Sequence, residues 1–160
     1  MVNEKALRLQ LADLLGWESA HVGFDRAVAG VPVRMRGVVP KGFAHSVWQI
    51  VEHIRIAQAD ILDFCVNPRY QHDLAWPDDY WPKTRAPKSG AAWTKSLAAY
   101  RRDLAAMQRL AKNPKVDLFA RIPHGSGQTC LREILLVADH NAHHVAQIID
   151  VRRALGAWPG

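Results

Sequence analysis

The chain has 160 residues, 49% hydrophobic and 22% charged, the size and balance of one ordinary globular domain with a buried core. No apolar run approaches the ~20 residues of a membrane span, and Met1-Val2-Asn3-Glu4-Lys5 opens straight into a charged helical pattern, so neither a membrane segment nor a signal peptide is expected and the cytoplasm is the default location. The formal charge of +6 favours anionic partners, but it is scattered over Arg34/Arg36, Arg101/Arg102 and Arg152/Arg153, so a nucleic-acid partner is not expected.

Residues 3–21 read as a first helix, with Asn3 as N-cap and Leu7, Leu11, Leu14 and Leu15 at helical spacing. The pattern can run on past Gly16 to Phe24 and Val28, against the weakening effect of Gly23 and Gly30. Residues 29–45 are a Gly-, Pro- and Val-rich connection made cationic by Arg34, Arg36 and Lys41. Ser46-Val47-Trp48-Gln49 fits a capping box and opens a second helix, which runs to about Val66 and is stopped by Asn67-Pro68. Residues 67–88 are long for a loop and rich in Pro and aromatics (Tyr70, Trp76, Tyr80, Trp81). They are expected to pack down as a lid or partner surface, and to cross over so that the second and third helices run parallel. Ser89 caps the third helix, whose stripe of Trp93, Leu97, Tyr100, Leu104, Met107 and Leu110 ends before Asn113-Pro114. After an irregular link over 115–128, closed by the turn His124-Gly125-Ser126-Gly127, Thr129 caps a last helix that ends near Gly156. Four long amphipathic helices without a convincing strand predict an all-α four-helix bundle, with residues 1–160 as a single domain and a long crossover between helices 2 and 3. Cys65 and Cys130 are too few and too far apart for a disulfide framework and read as buried free thiols.

Chemistry concentrates on the last helix. His140-Asn141-Ala142-His143-His144 puts three imidazoles in five residues, with Gln147 just beyond. Positions four apart lie on one helical face, so His140 and His144 can point at one ion. With Leu131 as the zero of a helical wheel, His140 falls near ~180° and His144 near ~220°, on the apolar side, and Gln147 near ~160° goes with them. His143, near ~120°, falls among charged residues and reads as solvated. On the second helix His53 lies at the border of the apolar face, close to Gln49 and Asp60. His53 is therefore proposed to face His140 and His144 and complete a three-imidazole site with open remaining positions, a catalytic rather than a closed structural type. The cofactor expected is one divalent transition metal, zinc or nickel first, with iron, manganese and copper also compatible. Asn141 stands where a zinc protease of the His-Glu-x-x-His kind has its glutamate, so peptidase activity is not expected. His21, His45, His72 and His124 read as exposed loop or helix-end residues, and neither cysteine shares a face with the histidines.

On these residues the chain resembles the DinB-like (YfiT-like) metalloenzymes over nearly its whole length. The resemblance rests on Trp48-Gln49 and His53, on Leu131-Arg132-Glu133, and on His140 to Ile148. The family's last-helix pattern is His-x-x-x-His-x-Gly-Gln, in which Ala146 here replaces the glycine. The resemblance implies a metal triad of His53, His140 and His144, and homodimers in many members. In some members it also implies transfer of low-molecular-weight thiols such as bacillithiol, mycothiol or glutathione to small-molecule electrophiles, or isomerisation with them.

A divalent ion on three neutral ligands keeps its full charge and can activate water, giving hydrolysis, or a thiol, giving S-transfer. Asp60 is the candidate to orient His53, Gln147 the candidate to hold substrate or water, and the Tyr80/Trp81 loop the candidate cover. The alternative is a non-enzymatic small-molecule-binding or scaffolding bundle in a stress response.

Overall fold

The computed structural model describes residues 3–16, 18 and 20–159. It is all-helical: α1 (Glu4–Leu14), α2 (Phe24–Val28), α3 (Val47–Val66), α4 (Gly90–Lys112) and α5 (Cys130–Ala154), with no strand among the described residues. Short 3-10 turns occupy Val33–Met35 and Asp78–Tyr80. Among the described residues no helix is long and apolar enough to cross a membrane.

The helix starts follow from side-chain caps that satisfy otherwise unpaired backbone N–H groups. Asn3 accepts from Ala6, Ser89 from Ala92 and Thr129 from Arg132. Ser46 and Gln49 form the full reciprocal capping box on α3. Asn67-Pro68 ends α3 as expected, and Gly156, at a φ of 65°, supplies the left-handed turn that closes α5.

The first helix is shorter than its periodicity predicts. It stops at Leu14, where the Gly16 N–H turns back to the Asp13 carbonyl, and Phe24–Val28 is a separate short helix after Gly23. Glycine at position 16 disfavours continuation by about 1 kcal/mol relative to alanine. Part of the expected extension, Trp17 and Ser19, lies outside the described residues. Leu14, expected in the apolar stripe, is 39% exposed, while Leu11 and Leu15 are buried.

Two apolar clusters meet at Leu104 on α4. One gathers Phe24, Trp48, Ile54, Trp93, Tyr100 and Ile148, the other Leu11, Met107, Leu118, Ile134 and Val137. Helix α3 packs along both α4 and α5, α1 along α4, and α2 against α5. A polar string crosses this interior: Gln58 Nε2 donates to the Tyr100 carbonyl at 2.9 Å and Asn141 Nδ2 donates to Gln58 Oε1 at 2.8 Å. It ties α3, α4 and α5 together one turn away from the histidines.

Candidate metal centre

Helix α3 presents His53 and α5 presents His140 and His144 to the same point between them. The His53 Nε2 lies 3.0 Å from His144 Nε2 and 3.1 Å from His140 Nε2. One ligand atom from each ring lies within 4.8 Å of the others, so the three could hold a single ion.

The hydrogen bonds around the rings decide where the protons sit. His53 Nδ1 donates to the Tyr80 carbonyl at 2.9 Å, because a carbonyl can only accept. His144 Nδ1 donates to Gln147 Oε1 at 2.7 Å, and Gln147 Nε2 turns outward to His143 Nε2 at 3.1 Å. In the neutral rings this leaves bare lone pairs on the Nε2 atoms of His53 and His144, facing each other at 3.0 Å. Burial holds all three imidazoles below their ordinary value, His140 and His144 at about 4, so protonation near neutral pH does not relieve the repulsion. Converging lone pairs on neutral imidazoles, with the opposite nitrogens anchored, are the donor set that a divalent transition metal takes.

The 67–88 segment covers one side of this point. Trp81 lies flat on the His53 ring, with centroids 3.9 Å apart and planes 1° from parallel. His45 stacks on the opposite face of Trp81 at 3.8 Å. The segment is pinned by Asp60, whose carboxylate accepts from the Tyr70 hydroxyl at 3.0 Å and the Tyr80 hydroxyl at 2.5 Å. Burial and the Asp60 carboxylate push both phenols up, so they remain donors at neutral pH.

The model of the DinB superfamily matches residues 17–148. The chain belongs to the DinB superfamily. No curated protein and no solved structure matches it.

In this DinB superfamily member the structure gathers His53, His140 and His144 and leaves His143 exposed, edge-on to the His144 ring and bonded to Gln147. The expected contact of Asp60 changes. Asp60 does not reach His53: the Tyr80 carbonyl holds that ring, and Asp60 holds Tyr80, because the 67–88 segment inserts between them. Gln147, expected to meet substrate or water, is engaged with His144 and His143. His45 is not a plain exposed loop residue either. It is half-buried against Trp81, burial lowers its pKa, and its Nδ1 has no partner among the described residues. Asn141, which in sequence only marks the place of a protease glutamate, is 5% exposed and bonded to Gln58. Its polar neighbour on α3 gave a signal only in three dimensions. His72 and His124 are exposed as expected, bonding to the Tyr80 hydroxyl and the Phe64 carbonyl.

Proposed function

We propose that the chain is a divalent-metal-binding protein and a metal-dependent enzyme, first of the thiol S-transferase kind, with hydrolysis as the variant. The observation that carries this reading is the convergence of His53, His140 and His144 with their Nε2 atoms 3.0–3.1 Å apart about His53. These three residues would hold the ion, with zinc or nickel as the first candidates. When bound, an ion with neutral ligands supplies Lewis-acid activation of a thiol or water. The chain's own residues do the rest. The Tyr80 carbonyl and Gln147 fix ring orientation, Trp81 excludes solvent from the His53 side, and the half-buried His140 marks the side left for a small-molecule substrate.

The reading takes residues 1–160 as one four-helix-bundle domain with 67–88 as the crossover. Trp48 beside Trp93 and Gln58 beside Tyr100 support helices 2 and 3 of that bundle (α3 and α4) running in the same direction. It also takes the protein as a cytoplasmic homodimer, with the crossover, where Trp76 is 71% exposed, as a candidate contact that sedimentation of the W76A variant would test.

Elemental analysis of protein purified without chelator is expected to find about one divalent ion per chain, lost in His144→Ala and in His53→Ala. A screen of low-molecular-weight thiols against small electrophiles then tests turnover. Protein that binds no metal, and is unaltered by His53→Ala, ends the reading. The flat cover of Trp81 over His53 favours a second reading, a non-enzymatic binding or scaffolding module. Full metal loading with no turnover of any thiol or hydrolysable substrate would select it.

A further inference from the structure

Cys65 lies one residue before the end of α3, and Cys130 is the first residue of α5. Though far apart in sequence, the two thiols lie side by side, close enough that each shifts the other's ionisation. Both belong to the apolar cluster of Met107, Leu118 and Ile134, and both line one cavity of about 440 Å³ whose wall includes Pro68, Arg121 and His124. The pair is therefore sheltered on one side and reachable from the cavity on the other. It is separate from the metal centre, since His53 precedes Cys65 by twelve residues on α3, about 18 Å at 1.5 Å per residue.

The two thiols are not equivalent. Cys130 is the first residue of α5, and the neighbouring Cys65 thiol holds it at about 7, against burial and the Glu133 and Asp117 carboxylates, which push it up. Cys65 is pushed well up by the neighbouring Cys130 sulfur and by burial, so it keeps its proton. One sulfur is thus a nucleophile near neutral pH and its neighbour a protonated thiol in reserve. Neither takes part in the metal chemistry proposed above.

We propose that Cys65 and Cys130 form a thiol–disulfide exchange site that reduces low-molecular-weight disulfides and closes into a bond joining the end of α3 to the start of α5. The Cys130 thiolate attacks one sulfur of a disulfide RSSR. The S–S bond breaks, a Cys130–SR bond forms, and RS⁻ leaves and takes up a proton. Cys65 then loses its proton to solvent and attacks the Cys130 sulfur, expelling the second RS⁻, which is protonated in turn. Two protein thiols and one RSSR become one protein disulfide and two RSH, with two electrons passing from the protein to the small disulfide. An excess of RSH reverses the sequence.

The test uses the full-length folded protein, reduced and freed of reductant, with oxidised glutathione as the probe. The wild type is expected to lose both free thiols and two hydrogens of mass, and to yield a Cys65–Cys130 linked peptide on non-reducing digestion. Its rate should rise about tenfold from pH 6 to pH 8 as Cys130 ionises. Cys65→Ser is expected to stop with one glutathionyl group on Cys130, and Cys130→Ser to lose the fast phase. Circular dichroism before and after confirms that the chain stays helical. The proposal is overturned if the folded wild type keeps both thiols, if it holds glutathione without closing, or if the link forms only in denaturant. Running the same series on metal-free protein separates this site from the metal reading, because exchange should be unchanged there.

Discussion

His53 and His144 each commit an Nδ1 proton to a carbonyl oxygen, and that commitment turns two core imidazoles into a pair of lone pairs aimed at one point. Removing the Gln147 acceptor should therefore weaken metal binding without touching a ligand. Gln147→Leu is expected to lower affinity about 10–100-fold, read by competition with a chelating dye, with the helix content unchanged. The neutrality of the pair has a cost in acid. Burial holds folded His140 and His144 at about 4, against an ordinary 6.5. Between those values the unfolded chain binds more protons, so the stability these groups allow is fully present above about 6.5 and drains away as pH falls towards 4. Metal-free protein should show a thermal midpoint that drops across this window, and His140→Asn/His144→Asn should flatten the slope. A wild-type midpoint level from pH 7 to pH 4 would sink the buried neutral pair. At this scale the sequence was informative where periodicity acts: the wheel separates His140 and His144 from His143. It misplaces His45 as exposed, because that residue lies in a connection with no period, and it is silent on the Tyr80 carbonyl, since a backbone atom has no residue code to read.

Helices α3, α4 and α5 begin and end where their caps and prolines place them, because a side-chain cap is a local interaction written in adjacent residues. The end of α1 was not legible in the same way, as the leucine spacing continues beyond the point where Gly16 and the chain's turn towards α2 end the helix. The inner face of the 67–88 segment was legible only as composition. Its aromatics predicted a cover, but which ring would meet His53 depends on how Asp60 captures two tyrosines, a contact between helix and loop. Asp60 thus positions the three-histidine cluster at one remove, through Tyr80. Asp60→Ala is expected to weaken metal binding about tenfold, as loss of an outer-shell support does, and to make chymotryptic cleavage between Tyr70 and Trp81 faster. If cleavage accelerates while metal affinity holds, Tyr80 orients nothing and the cover is only packing. The start of α3 has its own anchor. The Ser46 hydroxyl accepts from the Gln49 N–H and donates to the Arg85 carbonyl at 2.6 Å, so one residue caps the helix and ties down the far end of the 67–88 segment. Ser46→Ala should cost about 1–2 kcal/mol, seen as a lower urea midpoint with an unchanged slope.

Across the whole molecule the connections are closed by buried arginines, which composition alone reads as part of a scattered basic surface. Arg8 on α1 donates to the carbonyls of Ala111, Asn113 and Val116, satisfying the end of α4 and the chain beyond it. Arg152 on α5, 2% exposed, donates to the Ala27 carbonyl at 2.6 Å and twice to Ala157, at 3.1 and 2.8 Å, with Trp158 over its guanidinium. It therefore joins α2 and the C-terminal turn to the helix that carries two of the three histidines. Its sequence neighbour Arg153 is exposed and only meets Asp150 at 3.3 Å. The pair makes an internal control. Arg152→Met keeps the aliphatic stem but leaves buried carbonyls without donors, which costs about 3 kcal/mol and, for a chain of this size, roughly 6–12 °C in thermal midpoint. Arg153→Met removes a solvent-screened ion pair and should stay within about 0.5 kcal/mol of wild type. Because Arg152 lies eight residues beyond His144, the Arg152→Met loss should appear in metal-free and metal-loaded protein alike. Equal midpoints for the two variants would show that the carbonyls around Arg152 find water instead, and that α2 is held by its apolar face through Phe24, Ala27 and Val28 alone.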